Sequence, residues 1–227
     1  MKPKTRNPFR GGLPLLALAL PILSPSVQAA SITWNNSGTD FNAGASWTGS
    51  VAPGTADIAT FTGARVTNPA LSAAASVKGL AFTDSASSAY TVSGSTLTLG
   101  TSGIDASAVT SGSNTISSSL NLASGAQTWT TGAGSTLALN TGTFSRSAGS
   151  TLNLQGSGTV SSSMSGIANT NGIVGPWATV GSGTTTRFAT LTAGNLVSYT
   201  GATVNTNWAG TMNNVATNFD VTAASNT

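Results

Sequence analysis

The chain has 227 residues, of which 6% are charged, and it contains no His, no Cys and no Glu. These absences exclude disulfides, thiolate metal sites and histidine-based catalytic triads. Four of the eight Lys and Arg residues lie within the first ten positions. The rest of the chain carries four basic residues against five Asp, a net charge of about −1. These basic residues are too dispersed for a nucleic-acid partner.

Residues 1–29 have the three parts of a secretory signal peptide: a basic start, an apolar run at 13–23, and small residues at Val27 and Ala29 that suit cleavage. The apolar run is shorter than the roughly 18 to 20 residues that span a bilayer. No later segment is long or apolar enough to span either. We therefore expect an exported mature chain of residues 30–227, located outside the cell, at its surface or in the periplasm.

Three similar phrases indicate the fold class: GSTLTLG at 94–100, GSTLALN at 134–140 and GSTLNLQ at 149–155. In the first, Leu97 and Leu99 alternate with Thr96 and Thr98, so the leucines share one face of a strand. Gly, Ser and Asn separate such phrases, as is typical of turns between short strands. The mature chain is therefore predicted to be all-β, with almost no helix.

The spacing of the leucine pairs favours a solenoid. Their second members are Leu99, Leu122, Leu139 and Leu154, so one long step is followed by two shorter ones. We interpret each step as one coil, with leucines stacked in an internal ladder. The predicted fold is a right-handed parallel β-helix, and a β-sandwich is the alternative. An uncapped last coil would expose its edge and favour self-association through open solenoid ends.

Five blocks of the mature chain, in the same order, carry a family resemblance: 34–61, 77–82, 90–104, 126–139 and 167–201. Together they resemble bacterial exported proteins with autotransporter-associated β-strand repeats. The resemblance implies a β-helical, passenger-like domain with a structural or adhesive role and no assigned catalytic residues or cofactor. Full-length members carry further repeats and a membrane barrel. We therefore expect an N-terminal portion of a longer solenoid, a short relative or an interrupted product.

An enzyme would have to depend on Asp carboxylates, because no other common general base is present. Asp57, Asp84 or Asp105 could approach Arg65 or Lys78, as in β-helical polysaccharide lyases and hydrolases. No two Asp lie within ten positions of each other, so we interpret them as turn-capping or surface residues. We expect no enzymatic activity, no metal and no cofactor. The alternative is a carbohydrate-binding or carbohydrate-active β-helix that uses Asp and Trp.

The candidate ligand-surface residues are Trp177, Trp34 and Trp47, because an exposed indole can stack on a sugar ring. A cell-surface glycan is accordingly a candidate partner. Trp34 and Trp47 flank a loop at the start of the mature chain, where a solenoid needs a cap, and packing is the favoured interpretation for both. Trp177 follows Gly175 and Pro176, and its role stays open between ligand binding and packing.

A flat threonine array that binds ice or templates a mineral is the third hypothesis. The outward pairs are Thr96/Thr98, Thr136/Ala138 and Thr151/Asn153. Only the first pair keeps both threonines, and this irregularity counts against the hypothesis.

Overall fold

The computed structural model describes Met1, residues 29–85 and 89–201, and the backbone of residues 203–204 and 219–220. Almost all of the predicted signal peptide lies outside these described residues. The strands are β1 Ser31–Thr33, β2 Ile58–Phe61, β3 Ala70–Leu71, β4 Ala75–Phe82, β5 Thr91–Gly94, β6 Leu97–Ala106, β7 Gly112–Ile116, β8 Leu120–Leu122, β9 Gly125–Thr131, β10 Ser135–Leu139, β11 Phe144–Arg146, β12 Ser150–Gly156, β13 Thr159–Ser162, β14 Ala178–Val180, β15 Arg187–Thr192, β16 Asn195–Ser198, β17 Thr203–Val204 and β18 Phe219–Asp220. Two short 3-10 turns, Gly44–Ser46 and Gly183–Thr185, are the helical elements of the described residues.

The strands from β1 to β14 form three parallel sheets around one core. Sheet I contains residues 75–77 of β4, residues 97–99 of β6, β8 and β11. Sheet II contains β1, β2, residues 79–82 of β4, residues 103–106 of β6, β9, β12 and β14. Sheet III contains β3, β5, β7, β10 and β13. The chain passes through sheets I, II and III in turn and then begins the next coil, so the prediction of a parallel β-helix is confirmed and the β-sandwich is excluded.

The period of the solenoid is set by the pairing between coils. Leu97 lies beside Leu120 in sheet I, and Ile104 lies beside Trp129 in sheet II. Each partner is therefore found one whole coil later in the chain, and about 6 turns of this kind form the solenoid. Parallel strands need a long connection between them, and here the other two sides of each coil supply it.

The prediction that each repeated phrase starts a new coil is only partly right. Leu99 stacks on Leu122 in sheet I, as the long first step predicts. Leu139, however, lies in sheet III, where its neighbours are Ile116 and Ser162. Leu154 lies in sheet II beside Trp129 and Val180. The two shorter steps are therefore wrong as coil lengths, because the same alternation suits all three sheets and does not specify which one a strand joins.

The core is a continuous set of apolar side chains that runs through all the coils. In sheet II the inward residues at one level are Ala59, Leu80, Ile104, Trp129, Leu154 and Val180. Neighbouring coils come so close at Gly103, which has a φ of 61°, that a Cβ there would clash with the Thr128 carbonyl oxygen. Glycine is thus required at this position by both backbone conformation and space.

Both described ends of the solenoid are covered. At the N-terminal end, the rings of Trp34, Phe41, Trp47 and Phe61 pack with centroid distances from 5.0 to 6.2 Å. At the other end, β15 and β16 form an antiparallel hairpin. The hairpin pairs with β14 of sheet II and with β13 of sheet III, also antiparallel. The outer edges of β13 and β14 are therefore paired with the hairpin and are not open. Self-association through open solenoid ends remains a prediction from sequence.

We expect Leu139→Asp to lower the free energy of unfolding by about 3 to 5 kcal/mol, because it places an unpaired charge in the core. Leu139 is fully buried in sheet III, whereas Thr136 on the same strand is half-buried on the outward side. Thr136→Ser should change the free energy by no more than about 0.5 kcal/mol. Urea unfolding of both variants measures the difference, and equal midpoints would contradict the inward placement of Leu139.

Candidate functional site

Trp34 and Trp47 belong to the packing of the N-terminal end. Each is 1% exposed, and their rings meet edge to face at 5.1 Å. The Trp47 Nε1–H donates to the Phe41 carbonyl at 2.7 Å, and the Trp34 Nε1–H donates to Thr67 Oγ1 at 3.3 Å. Neither indole offers an accessible face on which a sugar could stack, which agrees with the packing interpretation.

Trp177 lies against the last strand of sheet I and is half-buried. Its ring stacks on Phe144 with centroids 5.5 Å apart and planes at 19°. The guanidinium carbon of Arg146 lies 5.2 Å from the Trp177 ring centroid, in a cation–π contact. Of the three candidate tryptophans, Trp177 keeps accessible surface, but the side chains of Phe144 and Arg146 already contact its ring.

The carboxylates of Asp40, Asp57 and Asp105 are dispersed, and each accepts a backbone N–H within a local turn. Asp57 Oδ2 accepts the Gly54 N–H at 2.9 Å, and Asp105 Oδ1 accepts the Ser107 N–H at 3.0 Å. Asp40 accepts the Asn42 N–H and the Ser72 hydroxyl, both at 2.9 Å. Among the described residues, no three acidic side chains are close enough together to hold a metal ion.

Two titratable groups are shifted by their surroundings. Hydrogen bonds from the Asn42 N–H and then from the Ser72 hydroxyl lower the pKa of Asp40 below its usual value. Burial raises the pKa of Tyr90, whose hydroxyl donates to the Thr62 carbonyl at 3.1 Å. Both shifts keep each group in its ordinary charge state at neutral pH, so neither creates a general acid or base there.

The three outward pairs of the threonine-array hypothesis lie on different sides of the solenoid. Thr98 belongs to sheet I, Thr151/Asn153 to sheet II and Thr136/Ala138 to sheet III. They do not combine into one flat array. In sheet III, the neighbours of Thr136 in adjacent coils are Ser113 and Thr159.

A groove of about 370 Å³ lies along the corner between sheets I and II, and we call it the corner groove. It arises from a register shift, because Val77 pairs with Leu99 while Gly79 pairs with Gly103. Lys78 alone on β4 therefore faces three residues on β6. The corner groove is lined by residues from four successive coils: Thr55, Ala56, Lys78, Gly100, Thr101, Ala123 and Ser124.

The polar side chains that line the corner groove have no hydrogen-bond or salt-bridge partner within the described part of the chain. Within that part, no hydrogen bond or salt bridge is formed by the side chain of Lys78, and none is formed by the hydroxyls of Thr55, Thr101 and Ser124. Lys78 is half-buried, and its backbone N–H donates to the Asp57 carbonyl at 2.8 Å. The corner groove thus presents one cation and three hydroxyls to whatever occupies it.

A buried glutamine supports the same corner from inside. Gln127 is 2% exposed, and its Nε2 donates to the Leu99 carbonyl at 2.7 Å. Its Oε1 accepts the Trp129 Nε1–H at 3.3 Å. Gln127 was not predicted as an inward residue, although strand alternation places it on the same face as Trp129. A polar side chain on an inward face was the available signal.

We expect Gln127→Ala to lower the free energy of unfolding by about 1 to 3 kcal/mol, because it leaves the buried Trp129 Nε1–H without a partner. The Leu99 carbonyl loses one of its two hydrogen bonds and still accepts the Ala123 N–H. Gln155→Ala is the matched control, since Gln155 is half-buried on the outward side of the same sheet. Chemical unfolding followed by Trp fluorescence measures both. If the two variants unfold at the same denaturant concentration, Gln127 has no structural role at the corner.

Comparison of the chain with protein-family models, curated proteins and solved structures gives no match. The resemblance to autotransporter-associated repeats therefore stays a prediction. Across residues 29–85 and 89–201, and in the other described positions, no helix is long and apolar enough to cross a membrane. The solenoid surface and the corner groove are the features of the structure that bear on function.

Proposed function

We propose that this chain is an exported, non-enzymatic β-helical module with a structural or adhesive role at the cell surface or outside the cell. The export part of the proposal is supported by the signal pattern in residues 1–29. The structural part is supported by the solenoid itself, whose stacked coils make one continuous body with three outer faces.

The observation that carries the proposal is the hydrogen bonding between outward side chains of successive coils. Ser145 Oγ donates to Asn121 Oδ1 at 3.0 Å in sheet I. Thr179 Oγ1 donates to Asn153 Oδ1 at 3.2 Å in sheet II. Such bonds join residues that are 24 and 26 positions apart in the chain. They stabilise the stacking of coils and leave an outer surface of short, mostly uncharged polar groups, which suits a scaffold.

The second candidate function is carbohydrate binding. The sequence pattern alone would assign this binding to Asp and Trp. The burial of Trp34 and Trp47 and the local hydrogen bonds of Asp57 and Asp105 give that assignment little support. The corner groove favours carbohydrate binding instead, because it is open, elongated and lined by hydroxyls.

Export is tested by expressing the full chain in a bacterial host. We expect the mature protein outside the cytoplasm, with an N-terminus at Ala30 by mass spectrometry, because Ala29 ends the cleavage pattern. Leu18→Arg places a charge in the apolar run and should keep the chain in the cytoplasm. An unprocessed cytoplasmic wild-type chain would overturn the export proposal.

The non-enzymatic proposal is tested by incubating the purified chain with neutral and acidic polysaccharides. We expect no new reducing ends and no unsaturated products, because the carboxylates of Asp40, Asp57 and Asp105 are dispersed and accept hydrogen bonds in turns. Asp57→Asn and Asp105→Asn serve as controls for any activity that is detected. Product formation that either substitution abolishes would show an Asp-based enzyme and refute the proposal.

A further inference from the structure

We propose that the corner groove binds an extended polysaccharide that carries carboxylate groups, and that the Lys78 ammonium pairs with one of them. This inference rests on the proposed adhesive role and assigns a ligand class to one part of the surface. The expected glycan contact then lies at a corner of the solenoid and not at the tryptophans or aspartates.

The shape of the corner groove fits a chain rather than a compact ligand. Its lining comes from four successive coils, from Thr55 before β2 to Ser124 before β9. Adjacent strands in a sheet lie about 4.8 Å apart, so three steps between coils span roughly 14 Å. The corner groove follows the stacking direction, and a linear polymer can lie along it with several of its units in contact.

The lining suits sugar hydroxyls. Thr55, Thr101 and Ser124 offer hydroxyls that can both donate and accept hydrogen bonds. Some outward hydroxyls elsewhere on the solenoid bond to the preceding coil, as Ser145 does to Asn121. The three hydroxyls in the corner groove make no such bond within the described part of the chain, and they remain available for a ligand.

Charge decides between classes of glycan. Lys78 is the single charged residue in the lining. In the preceding coil, the Asp57 carbonyl accepts the Lys78 N–H, and the Asp57 carboxylate accepts the Gly54 N–H. An ion pair that forms in a groove is screened by water less than one on an open face. A single cation among hydroxyls matches a polymer with spaced carboxylates, whereas a nucleic acid needs clustered cations.

The space in the corner groove depends on small residues. A Cβ at Gly100 would lie 3.1 Å from both the Lys78 Cα and its carbonyl oxygen. Larger side chains at this corner would fill the corner groove and displace the backbone of Lys78. Small residues in the lining therefore preserve the volume of the corner groove and the position of the Lys78 backbone.

The test is binding of the full chain to alginate, a linear polyuronate, measured by affinity electrophoresis at low salt. We expect Lys78→Gln to weaken binding roughly tenfold, as loss of a charged hydrogen bond does. Ser124→Lys, which adds a second cation to the corner groove, should strengthen it. Arg65→Gln is the matched control, because it removes the same charge from an exposed position outside the lining. Thermal unfolding of each variant establishes that the fold is intact.

Five outcomes would overturn the inference. Equal binding by wild-type and Lys78→Gln, or equal weakening by Lys78→Gln and Arg65→Gln, would remove the corner groove as the site. Equal binding of esterified alginate would remove the ion pair. Stronger, Lys78-dependent binding of single-stranded DNA would replace the polysaccharide by a nucleic acid. No binding of alginate would reject the ligand class, while export and the absence of catalysis, measured separately, would still decide the proposed function.

Discussion

The structure depends on one constraint, that the strands of one coil pair in parallel with the strands of the next coil of the solenoid. Backbone N–H and C=O groups are satisfied between coils, so a strand and its partner are separated by the length of a whole coil. The chain has no Cys, and neither a disulfide nor a thiolate-bound metal can fix the stack. Inward side chains must therefore match in register from coil to coil, and an unmatched end must be covered. The aromatic cluster at Trp34 and the antiparallel hairpin of β15 and β16 cover the two described ends.

The same constraint explains why polar residues are found inside the solenoid. Where a strand turns a corner, carbonyl and N–H groups lose part of their regular pairing. Gln127 reaches the Leu99 carbonyl beneath the corner groove, and Asn114 accepts the Tyr90 N–H at 2.9 Å at the start of a strand in sheet III. Asn114 gives the Tyr90 N–H a side-chain partner, and Gln127 adds a second hydrogen bond to the Leu99 carbonyl, which also accepts the Ala123 N–H. Their burial is a consequence of the three-sided coil, in which each corner bends a ladder that a flat sheet would continue.

Strand alternation predicted an all-β chain with inward leucines, and the spacing of the leucine pairs favoured a solenoid, although its two shorter steps are not coil lengths. Leu97, Leu99, Leu137 and Leu139 are all buried, as the pattern indicates. Alternation has a period of two and is the same in all three sheets, so it could not show that GSTLTLG, GSTLALN and GSTLNLQ belong to sheets I, III and II. The burial of Trp34 and Trp47 could be argued from the need for a cap. The corner groove could not be predicted, because it arises from a difference between neighbouring coils that no single stretch of sequence contains.

Function on such a solenoid is then expected where successive coils differ. On the flat faces, regular pairing between coils brings polar residues together, and some of them hydrogen-bond to each other, as Ser145 does to Asn121 and Thr179 does to Asn153. At the corner between sheets I and II, one residue of β4 faces three of β6, and the side chains there cannot pair in the same way. Lys78 and its neighbouring hydroxyls are left facing outward by this mismatch. The register shift between β4 and β6 thus creates a groove whose polar side chains are available to a ligand. The regularly paired coils around the groove keep these side chains in position.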